Sequence, residues 1–342
     1  MVYSDKRWYM VATYSLAHFI VDFSCAFLMF RSIVDTPKGY LCVLLYNSCA
    51  FAMQMPLGIL ADNWNKNVLF AIIGCSLVGI AYGLWLYPFT AACVLGVGNA
   101  MFHLGGGIDV LNVSKRKSDA LGVFVSPGAF GIYIGTALGK GSIPAAAPIL
   151  LAIFVTIGLL FAVHRTQGEA YPMNAEFSLE ASPRIRIAIV CFFIVVCLRS
   201  YVGLAFNFPW KNTGCWGIAL VCAVVLGKTA GGFLADRFGM TKTVYISLGF
   251  AALLFLVPQI PALGIMSVLL FNMTMPITLW VMAKILPGAK GFSFGLLTFG
   301  LFLGFLPVYL GVHPPLSAFW LFAFAAAVSL VLLRAGLRKA NI

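Results

Sequence analysis

Apolar runs of roughly 20 residues recur along the whole chain, and no other feature restricts the fold so severely. Each is long enough to cross a bilayer as a helix. The runs are continuous, as in Leu248–Val257 and Phe319–Leu333, not the alternating ten-residue segments of a β-barrel. Of the 342 residues, 62% are hydrophobic and 9% charged. A water-soluble globule of this length needs a more polar exterior, whereas a chain solvated by lipid does not.

Twelve helical spans are expected, at 8–30, 39–60, 67–87, 90–112, 119–139, 144–164, 185–206, 213–235, 241–260, 262–285, 290–312 and 314–335. Short connections rich in Pro, Gly and charge separate them. The one long polar stretch, 165–184, carries Glu169, Glu176 and Glu180 and divides the chain near its middle. The expected organisation is a six-helix bundle at 1–164, a cytoplasmic linker at 165–184 and a second six-helix bundle at 185–342.

Basic residues set the orientation. One side would hold Lys6 and Arg7, Lys66, Lys115 to Lys117, the linker's Arg165, Arg184 and Arg186, then Arg237, Lys242, Lys284, Lys290, Arg334, Arg338 and Lys339. The other side holds Arg31, Lys38, Lys140 and Lys211. This bias places both termini and the linker in the cytoplasm, with the chain in the cytoplasmic (inner) membrane. It also accounts for the net charge of +12 without nucleic acid, since no basic stripe with interleaved aromatics occurs. The nine cysteines lie in apolar runs without a CxxC pair and read as small buried hydrophobes. The first apolar run is too long for a cleavable signal and lacks a small-x-small site.

The chain repeats itself. Gly58-Ile59-Leu60-Ala61-Asp62 before Lys66 recurs as Gly232-Phe233-Leu234-Ala235-Asp236-Arg237-Phe238-Gly239 before Lys242, 174 residues on. Asn99 answers Asn272, and Gly122 and Gly131 answer Gly295 and Gly304, at nearly the same offset. Duplicated six-helix halves are a transporter architecture, with the solute site at the midplane between them.

The two turns resemble the signature turn of the major facilitator superfamily. The resemblance covers essentially the whole chain and implies an all-α integral membrane protein of twelve transmembrane helices in two pseudo-symmetric bundles. It also implies a conformational latch at Gly58, Asp62, Lys66, Gly232, Asp236, Arg237 and Gly239. The first copy departs from the pattern, with Asn63 in place of Arg and Asn65 in place of Gly. Asn tolerates the left-handed backbone that Gly supplies, so the turn is expected to survive. Each Asp can cap the next helix and pair with a nearby Arg or Lys.

Finer motifs resemble the fosmidomycin-resistance branch: Ser15-x-x-His18-x-x-x-Asp22 in span 1, Gly96-x-Gly98-x-x-x-Phe102-His103 in span 4, and Leu286-Pro287-Gly288 with Gly291 before span 11. The branch implies proton-driven efflux of small drugs. After His103, Leu104-Gly105-Gly106-Gly107 replaces the branch's usual Pro and acidic residue.

Ionised side chains at mid-bilayer cost about 2.5–3.5 kcal/mol on insertion scales, so those found there need a reason. Asp22 lies near mid-depth, on one helical face with Ser15, His18 and Cys25. A carboxyl removed from water can carry a proton. Asp22, His18 and His103 are therefore the candidates for proton coupling. Arg199, at similar depth in span 7, must find an anion. Asp22 and an anionic solute are the two candidates, and competition between them would couple solute to proton. A permanent Asp22–Arg199 bridge holding the halves together is the alternative. Arg199, Asn99 and Asn272 are the candidate substrate-binding residues. His18 and Asp22 at i, i+4 suit a metal, but two ligands do not make a site. Asp109 and Lys228 fall toward the ends of their spans, where snorkelling and loop pairing explain them. Small residues in span 5 (Gly122, Gly128, Gly131, Gly135, Gly139) favour close helix approach, and Pro127 a kink; this is similar to the glycine-rich fifth helix of family antiporters.

No Walker loop, catalytic triad or HExxH is present, so an enzyme is not expected. Neither is a cofactor; the driving force would be the proton gradient. The expected partners are a small-molecule substrate, protons and the lipid bilayer, with the protein a monomer. Export of an anionic or amphiphilic solute by proton antiport is the first reading. Uptake by symport is the close rival, with divalent-metal transport and a non-transporting sensor behind it.

Overall fold

The computed structural model describes residues 2–114, 117–141, 143–167, 176–315 and 319–342. Lys115 and Arg116 of the basic loop and Glu169 of the linker lie outside these. Ten helices are long and apolar enough to cross a membrane: α1 (Arg7–Ile33), α2 (Gly39–Trp64), α4 (Pro88–Ser114), α5 (Asp119–Lys140), α6 (Ala146–Arg165), α7 (Pro183–Ala205), α8 (Trp216–Phe238), α10 (Pro261–Ile285), α11 (Lys290–Tyr309) and α12 (Phe319–Lys339). Two shorter apolar helices complete the twelve, α3 (Asn67–Gly83) and α9 (Met240–Leu254). Both stop a few residues short of the sequence expectation. Each precedes a proline, Pro88 or Pro258, which biases the chain before it away from helix.

The outside is apolar in the manner of a lipid-facing surface. Leu151 is 64% exposed and Phe154 73%, on α6, and Phe324 and Val331 of α12 are likewise open. Helices α1–α6 pack mainly on one another, as do α7–α12, and the two groups meet along α2 with α11 and along α5 with α8. Helix α5 lies tightly on α1. A Cβ added at Gly131, Gly135 or Gly139 would stand 2.5, 2.3 or 2.8 Å from the α1 carbonyls of Phe19, Phe23 and Phe27. The spacing of four read from the sequence is thus a ridge that lets two backbones meet.

Three helices are interrupted near a proline. Helix α2 widens into a π turn at Ser48–Ala52, just before Pro56. Helix α5 breaks at Ser126-Pro127, and α10 at Met273 between Asn272 and Thr274. Proline lacks an N–H and its ring crowds the carbonyl four residues back, which is Ala52, Val123 and Asn272 in turn. Backbone polar groups freed inside a membrane must be satisfied by side chains or water. The break in α5 lies against Asp22 and His18, and the break in α10 against Arg199.

Candidate functional site

Asp22 is 8% exposed and sits among α1, α4 and α5. His18 stands one turn before it, with Nε2 at 3.1 Å from Oδ2. From α4, Asn99 Nδ2 donates to Oδ1 at 3.0 Å, and His103 Nε2 lies 3.7 Å away. The two imidazoles meet edge to face, with their Nε2 atoms 2.9 Å apart.

The backbone fixes which nitrogen of each ring carries hydrogen. His18 Nδ1 donates to the Phe124 carbonyl at 2.7 Å, and His103 Nδ1 to the Asn99 carbonyl at 2.8 Å. A carbonyl only accepts, so Nδ1 is protonated in both rings and Nε2 faces inward. Two neutral rings would oppose their lone pairs at hydrogen-bond distance beside a carboxylate. One proton between the two nitrogens turns that repulsion into an N–H···N bond and places a positive charge against Asp22. One atom from each of His18, Asp22 and His103 lies within 4.8 Å of the others, a geometry chemically compatible with a shared proton or a metal ion. The third ligand that the sequence pair lacked comes from α4.

The α5 break supplies part of this site. Three successive carbonyls of its first segment accept from side chains on other helices: Val123 from Ser15 Oγ at 3.4 Å, Phe124 from His18, and Val125 from Lys228 Nζ at 3.2 Å. The segment thus touches α1 in one half and α8 in the other. Just beyond the break, a Cβ on Gly128 would stand 2.3 Å from both Asp22 Oδ2 and His18 Nε2. Only glycine leaves the cluster its space.

Arg199 does not pair with Asp22. Its Nη2 donates to Thr274 Oγ1 at 2.8 Å and Thr278 Oγ1 at 3.2 Å, both on α10 past the break, and the residue is 7% exposed. Asp22 is held by the two histidines and Asn99 on its own half, so neither a permanent bridge nor its competitive breakage is formed. Asn99 accordingly serves Asp22. Asn272 donates to the Val268 carbonyl of its own helix at 2.8 Å and stands apart from the Asp22 cluster, at the α10 break. Two further expectations are corrected. Lys228 does not snorkel, because its ammonium is bonded to Val125 between the halves. Buried Asp109 accepts from Tyr14 Oη at 2.7 Å and Asn67 Nδ2 at 2.9 Å, while Lys115 and Arg116 of the adjoining loop lie outside the described residues.

At the end that carries both termini, the repeated aspartates act across the halves. Asp62 of α2 accepts from the backbone N–H groups of Gly291 and Phe292, at 2.8 and 2.9 Å, in the first turn of α11. Asp236 of α8 accepts from Ser118 N and Oγ and from Asp119 N, at 2.8, 3.0 and 2.9 Å, at the start of α5. Each carboxylate therefore caps a helix N-terminus of the opposite half, where orphan N–H groups and the helix dipole favour an anion. The expected caps of the following helices, α3 and α9, are not what forms. Nor do the flanking bases pair with them: Lys66 and Arg237 are exposed, and Arg237 stacks on Phe238. Gly58 and Gly232 allow the approach, lying against Gly291 and Ser118. Asn65 and Gly239 both take positive φ, 51° and 92°, so Asn65 keeps the turn as expected. Lys290 donates to Asn112 Oδ1 at 2.6 Å, and Arg7 pairs with Asp119.

This architecture is that of a multi-pass membrane protein with the fold of the major facilitator superfamily transporters. Among solved structures it is similar to the E. coli fucose:proton symporter FucP, at 14% identity over 98% of this chain and 99% of that one, with a TM-score of 0.68. The human organic anion transporter TETRAN gives 13% identity over 96% and 99%, with a TM-score of 0.71. A bacterial homologue of the iron transporter ferroportin, outward-facing, gives 14% over 97% and 100%, with a TM-score of 0.61. At these identities the likeness is one of fold. No protein-family model matches the chain, and no curated protein matches its sequence.

Several site residues escaped the sequence reading: Lys228, Thr274, Thr278, Gly128 as a spacer, and the capped amides of Ser118, Asp119, Gly291 and Phe292. The one available signal was proline, since Pro127 and Pro276 mark the breaks beside which backbone carbonyls and threonine hydroxyls bond to side chains of other helices.

Proposed function

We propose that this chain is a major facilitator superfamily transporter that exports a small anionic or amphiphilic organic solute in exchange for protons. Its motifs in spans 1 and 4 and before span 11 resemble those of the fosmidomycin-resistance branch, which supports the export reading. The observation that carries the reading is the separation of the buried charges. A cation-holding cluster of His18, Asp22 and His103 lies in the first half. In the second, Arg199 is buried with hydroxyl partners and, among the described residues, no carboxylate. An uncompensated arginine at that depth suits a solute anion, and the histidine pair suits a proton.

Residues 1–164 and 185–342 act as the two rocking bundles, with 165–184 joining them. The Asp62 and Asp236 caps hold the termini end closed and release when the bundles rock, so they bias a two-state balance. The protein lies in the cytoplasmic membrane with both termini inside. A reporter fused after Ile342 is expected to be active only in its cytoplasmic form, and a periplasmic signal overturns the topology.

The function is tested by flux in reconstituted vesicles against a panel of organic anions and drugs under an imposed pH gradient. A pH-driven flux of at least one anion is expected, and its sign separates antiport from symport. Arg199→Lys keeps the charge and loses the planar fork. It is expected to weaken anion binding about tenfold or more, and wild-type affinity in that variant rejects anion recognition by Arg199. Asp62→Asn and Asp236→Asn each replace a charged cap by a neutral one. Each should weaken closure of the termini end by about 1 kcal/mol, read as a several-fold shift in a distance measurement between the halves; an unchanged distribution removes the latch.

A second reading, transport of a divalent metal, rests on the three convergent ligand atoms of His18, Asp22 and His103. It is separated by uptake of radioactive iron, manganese or zinc into the same vesicles: metal flux lost in His103→Ala favours it, and pH-driven anion flux without metal flux removes it.

A further inference from the structure

The second half of the chain, 185–342, contains one acidic residue, Asp236, and its carboxylate is occupied at the start of α5. Two of its cations, buried Arg199 and half-buried Lys228, nonetheless lie away from the ends of their helices. Lys228 is flanked on α8 by Gly227 and Gly231, and both press on α10 at its break. A Cβ at Gly227 would stand 2.2 Å from the Leu269 carbonyl, and one at Gly231 2.0 Å from that of Met273. That register packs the turn of α8 that carries Lys228 onto the α10 break, where Thr274, the residue after Met273, is the nearer hydroxyl partner of Arg199. Lys228 interacts electrostatically with both Arg199 and Asp22.

Neither cation has its bonding capacity met. Arg199 Nε is buried without a hydrogen-bond partner among the described residues. Among the described residues Lys228 donates to a neutral carbonyl, that of Val125 at 3.2 Å, although an ammonium has three donors. A carbonyl is a weaker partner for an ammonium than an oxyanion, whose bonds are charge-assisted.

We propose that the solute's anionic group docks on Arg199 and Lys228 together, and that Lys228 leaves the Val125 carbonyl to meet it, loosening α8 from α5 when the site fills. This rests on the anion-transport reading above and adds a second recognition residue and a route to the conformational change. The chemical class is an organic oxyanion, a carboxylate or a phosphate ester, with one oxygen on Arg199 Nε and another on the ammonium. The route is short. Val125 follows Phe124, whose carbonyl orients His18, so the α5 segment released by Lys228 is the one that aligns the histidine pair. A positive Lys228 swung toward a bound anion also moves relative to Asp22. Arrival of the anion is thereby felt at the cation cluster without direct contact between the two.

The test uses full-length protein in lipid nanodiscs with three probes, inorganic phosphate, phenyl phosphate and benzoate, and benzyl alcohol as the neutral control. Calorimetry gives affinity, and hydrogen exchange over Asp119–Lys140 reports α5. Wild type should bind at least one anion and not benzyl alcohol, and exchange in α5 should rise on binding. Lys228→Met keeps the stem and removes the ammonium. It should weaken that anion about ten- to a hundredfold, the loss of a charge-assisted hydrogen bond, with α5 exchange already raised and unresponsive to the probe. Lys228→Arg should recover most of the affinity, which shows that loss in the Met variant is not misfolding. Wild-type affinity in Lys228→Met with loss in Arg199→Lys overturns the Lys228 assignment and leaves the anion reading standing. Binding without any change in α5 exchange overturns the release. Failure of wild type to bind any of the three anions overturns both.

Discussion

Vesicles carrying Asp22→Asn should exchange solute across the membrane yet accumulate none against a pH gradient. With one proton exchanged per solute, the wild type sustains about a tenfold concentration ratio per pH unit, and the variant should fall to no accumulation at all. The reason is local. In the proposed mechanism the carboxylate is the counter-charge for a proton shared by His18 and His103, whose Nε2 atoms lie 3.1 and 3.7 Å from it. An amide of the same shape keeps the packing against Gly128 but offers no negative charge. The second half, with Arg199, is untouched, so binding and counterflow persist. Accumulation by Asp22→Asn equal to that of wild type would take Asp22 out of the proton path.

The second large effect is expected from Gly58→Ala combined with Gly295→Ala. A Cβ at Gly58 would lie 2.2 Å from the Gly291 carbonyl, and one at Gly295 2.1 Å from that of Gln54. Both obstacles are backbone, one on each side of the α2–α11 contact, so neither can rotate away. Relief requires the halves to separate at the termini end, where Asp62 must then leave the first turn of α11. Overpacking of this kind costs about 1–3 kcal/mol, enough to move a two-state population about five- to a hundredfold. Each half should fold normally, because the added methyls meet only the opposite half. The readout is the distance between labels at exposed Asn63 and Lys284. A population shifted toward longer distances, with transport reduced about tenfold or more, is expected; an unchanged distribution contradicts the closure described here.

The spans were legible because lipid imposes one simple demand, a long apolar helix, and the chain meets it ten times, with two shorter apolar helices, α3 and α9, besides. The duplicated turn was legible as a repeat, and Asn65 was rightly read as compatible with left-handed backbone. Its partners were not legible. Asp62 and Asp236 cap helices more than a hundred residues away, and the sequence around an aspartate shows only its own helix and the next. The same limit hid the cluster. His18, Asp22, Asn99 and His103 were each visible as polar groups at depth, but contact between His18 and His103 depends on the register of α1 against α4. Charge alone suggested Arg199 for Asp22. Two histidines and an asparagine closer at hand took the carboxylate instead. Lys228 was misplaced by helix boundaries: α8 runs Trp216–Phe238, three residues later than expected, which moves the lysine from the end of its span toward the middle.

The central claim, that a proton held by His18, Asp22 and His103 is exchanged for an organic anion held in the opposite half, has a direct test. Wild-type protein is reconstituted into vesicles enclosing a pH-sensitive dye, and an outward gradient of a transported anion is imposed with no pH difference at the start. The lumen should acidify as the anion leaves and protons enter, and Asp22→Asn vesicles should show no change. Anion efflux from wild-type vesicles at constant internal pH would contradict the account.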